Sequence, residues 1–170
     1  NIMTTIKLLD DELITKIAAG EVIERPASVV KELLENSLDA DGTRIIIRIK
    51  DSGKKLISIQ DNGRGMDEDD AQKSILRHAT SKISSVEDLF AIQTLGFRGE
   101  ALATIAAVSQ LSIITKTKDR LEGFNLVVEG GKVISTGLVA AETGTIVEVR
   151  NLFFNVPVRN KFLKTDAVEL

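Results

Sequence analysis

Glu32-Leu33-Leu34-Glu35-Asn36-Ser37-Leu38-Asp39-Ala40 is the stretch on which the rest of the sequence turns. It reads as a helix, and Glu32 and Asn36 stand at i and i+4, on one face about a turn apart. Asp39 extends the same stripe. Val29, Val30, Leu33 and Leu34 supply the opposite, apolar face, enough to anchor the helix in a core. A carboxylate can take a proton from water, and a carboxamide oxygen can hold a hard cation such as Mg²⁺. The plainer reading, an amphipathic helix with a solvated acidic face, is the favoured one when this stretch is taken alone.

Reading outward, Pro26 sits where a first-turn proline belongs, so the helix is predicted from there to Leu38. Asp41-Gly42 turns the chain. Arg44–Ile49 and Leu56–Gln60 read as strands joined at Ser52-Gly53, an antiparallel hairpin. Upstream, Asp10 or Asp11 caps a short helix ending near Ile17, and Met3 is expected to be the native start. Downstream, a polar helix is expected from Asp67 to Arg77. A loop with a short helical piece near Val86–Ile92 follows, then an apolar helix from Glu100 to Val108. Strands are expected at Leu111–Thr115, Phe124–Val128, Lys132–Ser135 and Thr145–Val149. Short turns between strand pairs favour α+β, a two-layer α/β sandwich with a mixed, mainly antiparallel sheet and helices on one face.

With 170 residues, 43% hydrophobic and 28% charged, one globular domain is the expectation. No apolar run approaches the length of a membrane span, and no secretory signal pattern opens the chain. Cysteine is absent and His78 is the single histidine. Thiolate chemistry and polyhistidine metal centres are therefore excluded, and a hard-cation site stays open. The lack of cysteine also fits a reducing cytoplasm. A net charge of −3 gives no global attraction for DNA phosphates.

Three further motifs carry possible chemistry. Asp61-Asn62-Gly63-Arg64-Gly65 follows a strand; a carboxylate there, beside glycines that let the backbone pass close, can accept from a ligand edge such as an adenine amino group. The plain alternative is a turn in which Asp61 bonds its own backbone. Gly96-Phe97-Arg98-Gly99-Glu100-Ala101-Leu102 opens a helix and can present backbone N–H groups to phosphate. His78-Ala79-Thr80-Ser81-Lys82 offers two hydroxyls and an ammonium to the same oxygens, or is a solvated loop. Neither a G-x-x-x-x-G-K-[ST] loop nor a G-x-G-x-x-G turn is present, so the usual P-loop and dinucleotide folds are excluded.

Together, in this order, the segments resemble the GHKL (Bergerat) ATPases, and within them the DNA mismatch repair MutL family. Ile17-Ala18-Ala19-Gly20-Glu21-Val22-Ile23-Glu24-Arg25-Pro26 joins Val29-Val30-Lys31-Glu32-Leu33 and Glu35-Asn36-Ser37-Leu38-Asp39-Ala40. Then come His78-Ala79-Thr80-Ser81-Lys82 and Gly96 to Leu102. The resemblance implies ATP and Mg²⁺ as ligands, with Glu32 as the general base and Asn36 as the metal ligand. It implies Asp61 on the adenine amino group, Gly65 shaping the pocket and Thr145, after Gly144, behind it. Thr80, Ser81 and Lys82 would lie along a lid, and Phe97, Arg98, Gly99, Glu100, Ala101 and Leu102 at its hinge and the helix start. Residues 1–150 would form the ATP-binding domain, with 151–170 its end or a link toward a second domain that supplies a lysine to the terminal phosphate. Hydrolysis by this length of chain is accordingly expected to be slow.

The implied role is a slow ATP switch. The implied partners are a second MutL chain, a MutS-like mismatch sensor and DNA, with no membrane, in the cytoplasm, or in the nucleus if the source is eukaryotic. DNA contact would draw on Arg159, Lys161 and Lys164. Two other readings stay open: a gyrase-B-like or chaperone-like ATPase, against which the spelling of His78–Lys82 weighs, and a module that holds ATP without hydrolysing it. Arg64 and Arg98 either touch ligand or pair with nearby carboxylates.

Overall fold

The computed structural model describes residues 26–76 and 101–156. Three helices, α1 (Pro26–Asp39), α2 (Glu68–Ser74) and α3 (Ala101–Ala107), lie against a six-stranded sheet. The strands are β1 (Ile45–Lys50), β2 (Leu56–Asp61), β3 (Gln110–Lys116), β4 (Gly123–Glu129), β5 (Lys132–Val139) and β6 (Gly144–Arg150). They run in the order β1-β2-β6-β3-β4-β5. Every described pairing is antiparallel, so the parallel component of the expected mixed sheet does not occur among the described residues.

Register explains where the core and the site fall. Ile49, Ile57, Val149, Leu111 and Val128 sit side by side across five strands. Ile47, Ile59, Val147, Ile113 and Leu126 form the next row. Side chains in such rows share one face of the sheet, because successive residues alternate. Ile57, Ile113, Leu126, Val128 and Val149 are wholly buried there, under the helices. The row after that is Ile45, Asp61, Thr145, Thr115 and Phe124. The same face thus changes from aliphatic to polar at one end of the sheet.

Helix α1 buries Pro26, Val29, Leu33 and Ser37, a stripe at helical spacing that ends in a hydroxyl. Val29 and Leu33 fall on the expected apolar face and Val30 packs beside them. Leu38, by contrast, is 56% exposed. Asp67 caps α2, its carboxylate accepting from the Asp70 N–H at 2.8 Å; the helix itself ends at Ser74. β5 runs to Val139, four residues beyond the expected strand. After β6 the chain turns back into the core, where Leu152 and Phe153 are buried and the Phe153 N–H donates to the Val108 carbonyl at 2.6 Å. The expected N-terminal helix, the Val86–Ile92 helical piece, Arg77, Glu100 and the basic residues Arg159, Lys161 and Lys164 lie outside the described residues. No described helix is long and apolar enough to cross a membrane.

Candidate functional site

The end of α1 and the Asp61–Gly65 loop are joined by a dense set of bonds. The Gly42 N–H donates to the Ser37 carbonyl and the Arg64 N–H to the Ala40 carbonyl, each at 2.9 Å, closing the C-terminus of the helix. The Arg64 guanidinium adds a bond to the Asp39 carbonyl at 2.7 Å and an exposed ion pair with Asp41 at 3.0 Å. Of the two readings for Arg64, pairing within the protein is therefore the observed one. Asn62 turns its Oδ1 to the N–H groups of Thr43 and Arg44, both at 2.9 Å.

Asp61 is buried at the end of β2 and both its oxygens are engaged. The Ser37 hydroxyl donates to Oδ2 at 2.7 Å, and the Gly63 N–H donates to Oδ1 at 2.8 Å. The local backbone turn considered for Asp61 is thus present, and a side chain from another element completes the hold. Beside Asp61 in the same row, the Thr145 and Thr115 hydroxyls lie 2.8 Å apart. Thr115 also accepts from the Met66 N–H at 2.9 Å, which ties β3 to the loop after Gly65.

Two glycines let three backbone segments cross here. Gly65 has φ +69°, and a Cβ on it would drive into the Lys116 carbonyl oxygen. Gly144 has φ +130°, and a Cβ would strike the Asp61 carbonyl. Only glycine meets both conditions at such positions.

These elements enclose a cavity of about 220 Å³. Leu33, Asn36 and Ser37 of α1, Asp61 and Gly65 of the loop, Thr145 of β6, and Ala101 and Leu102 of α3 are in its wall. Six of the expected site residues therefore meet around one space: Asn36, Asp61, Gly65, Ala101, Leu102 and Thr145. The Asn36 carboxamide is exposed to it and carries no partner among the described residues. Glu32, one turn before Asn36, is half-buried and stands outside the lining. Its pKa is raised above the ordinary glutamate value, chiefly by burial and further by the Glu35 carboxylate, with Lys31 pulling it back. Thr80, Ser81, Lys82, Phe97, Arg98, Gly99 and Glu100 lie outside the described residues.

Ser37 and Thr115 are two hydroxyls that hold the candidate site together and that the sequence does not point to. Each bonds a partner 24 and 30 or more positions away, respectively, which local spacing does not reveal. The signal available for Ser37 was its place four residues after Leu33, on the buried stripe. A second hollow of about 500 Å³ lies on the other face of the sheet, around Ile46, Gln60, Ile114 and Ile146. It shares Asp61 and Thr145 with the first but none of the other expected site residues.

Among the described residues no group of three or more His, Cys, Asp or Glu side chains could cage a metal. One free carboxamide at the cavity wall still fits Mg²⁺, which keeps most of its waters and is usually held by one or two protein groups plus substrate phosphates.

Residues 23–144 match the model of the histidine kinase-, DNA gyrase B- and HSP90-like ATPases. A DNA mismatch repair protein MutL of Symbiobacterium thermophilum is 54% identical over 168 residues, which is 99% of this chain and 26% of that protein. The chain spans about a quarter of the length of the curated relatives it matches. The solved Aquifex aeolicus MutL ATPase domain complexed with ADP is 40% identical, with a TM-score of 0.67 over 87% of this chain and 51% of that one. The N-terminal domain of a DNA repair protein is 38% identical and aligns with a TM-score of 0.78, covering 95% and 47%.

Proposed function

Because the chain belongs to the histidine kinase-, DNA gyrase B- and HSP90-like ATPases, in their MutL line, we propose that the cavity beside α1 binds ATP and hydrolyses it slowly. The observation that carries this reading is the pairing of two groups in one wall. Asp61 is a buried, doubly anchored acceptor, and Asn36 is an amide without a partner among the described residues in the same cavity wall. In this reading Asp61 accepts from the adenine amino group, and Gly65, through its close backbone crossing with Lys116, shapes the pocket. Thr145 closes the back of the pocket. Asn36 would hold Mg²⁺ carried in with the nucleotide, an ion that would supply neutralisation of phosphate charge when bound.

Glu32 is the proposed general base. It takes a proton from the attacking water, whose oxygen bonds the terminal phosphorus as the bond to the ADP oxygen breaks. Burial supports that role, since a carboxylate with a raised pKa is a stronger base than an ordinary one. Thr80, Ser81 and Lys82 serve as lid groups, and Phe97, Arg98, Gly99 and Glu100, with Ala101 and Leu102, supply the phosphate side. Residues 151–170 are, in this reading, the end of the ATP-binding domain or a link toward a second domain.

The biological role we infer is the nucleotide-gated module of a MutL-type mismatch repair protein. ATP promotes association of two chains, and hydrolysis resets them. A MutS-like sensor and DNA are the other proposed partners, and the cytoplasm or nucleus the proposed compartment. Two substitutions test the site. Glu32→Ala should cut turnover by about 10²–10⁴-fold while nucleotide affinity holds. Asn36→Ala should instead lose Mg²⁺-dependent binding. Small, equal effects from both would favour a module that holds ATP without hydrolysing it.

A further inference from the structure

We propose that Ser37 is a positioning residue. Through its hydroxyl it fixes the Asp61 carboxylate as an acceptor and so sets a preference for 6-amino over 6-keto purine nucleotides. The inference rests on the adenine role given to Asp61 above and extends it to the side chain that holds Asp61.

Four observations carry it. Ser37 is 4% exposed and Asp61 9%, so both are largely withdrawn from bulk solvent. Their bond, at 2.7 Å, is short and charge-assisted. The two donors on Asp61 approach different oxygens, Ser37 on Oδ2 and the Gly63 N–H on Oδ1. Each carboxylate oxygen has room for a further donor, so both stay able to accept from a ligand. Finally, Ser37 is itself held in place, since its carbonyl accepts from the Gly42 N–H in the closure of α1.

Two anchors at opposite ends of a carboxylate stop it rotating about its Cβ–Cγ bond. A locked acceptor rewards a ligand N–H and repels a ligand carbonyl, because it cannot turn to relieve the contact. With Ser37 removed, the carboxylate keeps only the Gly63 N–H and can swing. It then binds the amino group less well and tolerates a 6-keto oxygen better. A serine present only to satisfy a buried group would affect both ligands alike.

The test is calorimetric titration of the whole chain with ADP and with inosine diphosphate, which differ in the purine at position 6. Wild type is expected to bind ADP in clear preference. Ser37→Ala should weaken ADP by about tenfold, the scale of one hydrogen bond to a charged group, with little change for inosine diphosphate. The preference ratio then falls by the same factor. Ser37→Cys, near in volume and a weaker donor, should fall between; it carries the same ratio test if Ser37→Ala melts too early to titrate. Equal weakening of both ligands, or no change in either, overturns the positioning role. Wild type that binds neither nucleotide instead overturns the ATP reading, before any variant is made.

Discussion

Asp61 and Glu32 are two carboxyl groups in different surroundings. Asp61 is fixed by donors and faces the cavity, while Glu32 has a half-buried carboxyl with no such partner among the described residues and a raised pKa. General-base action needs the ionised form. The acidic limb of the rate profile should therefore lie above the ordinary glutamate value, measured as turnover against pH. The same shift has a stability consequence. The folded chain binds the Glu32 proton more tightly than the unfolded chain, so this group's contribution falls as pH rises between its unfolded and folded pKa values. Glu32→Gln should remove that loss above the window and change nothing below it, as read from thermal melts across pH. At Gly65, an added Cβ meets both a positive φ and the Lys116 carbonyl. Gly65→Ala should cost roughly 1–3 kcal/mol in backbone strain alone and abolish nucleotide binding. Gly137→Ala is the control, because nothing lies within 4 Å of its Cβ position; its melting temperature should barely move.

At the scale of elements, α1 and the hairpin β1–β2 were legible because their signals are local. Pro26 at a helix start, apolar residues three and four apart, and alternating isoleucines around Ser52-Gly53 each point to one structure. The motif order also made six residues of the cavity wall legible through resemblance. Ser37, Thr115 and the crossing of Gly65 with Gly144 were hidden because they depend on register. Asp61, Thr145 and Thr115 come from three strands and meet only because β2, β6 and β3 pair as they do. A slip of one residue in any of the three strands would send its member of the row to the opposite face. The length of β5 was missed for a related reason. It is an edge strand and exposed along nearly its whole length, so no buried alternation marks its end. Leu33 joins the two scales, since it is 2% exposed and also lines the cavity. Leu33→Ala should cost about 2–5 kcal/mol, read by denaturant unfolding, and weaken nucleotide binding beyond what the lost stability explains.

At the scale of the molecule, the polar row sits at one end of an otherwise aliphatic sheet face, and α1 and α3 wall it in. This places a charged acceptor in a largely apolar cavity, the usual composition of a small-molecule site. The described residues supply the base, a metal ligand and the adenine acceptor of the proposed mechanism, and the chain spans about a quarter of its curated relatives. Turnover by the 170-residue chain should therefore stay far below that of a full-length relative assayed alongside it; comparable steady-state rates would reject the need for further parts. The most direct measurement is calorimetric titration of this chain with a non-hydrolysable ATP analogue, with and without Mg²⁺. Saturable one-site binding that tightens with Mg²⁺, and loses that gain in Asn36→Ala, is the predicted result. No binding, or binding to Asn36→Ala with the Mg²⁺ gain intact, would contradict an ATP site built on this cavity.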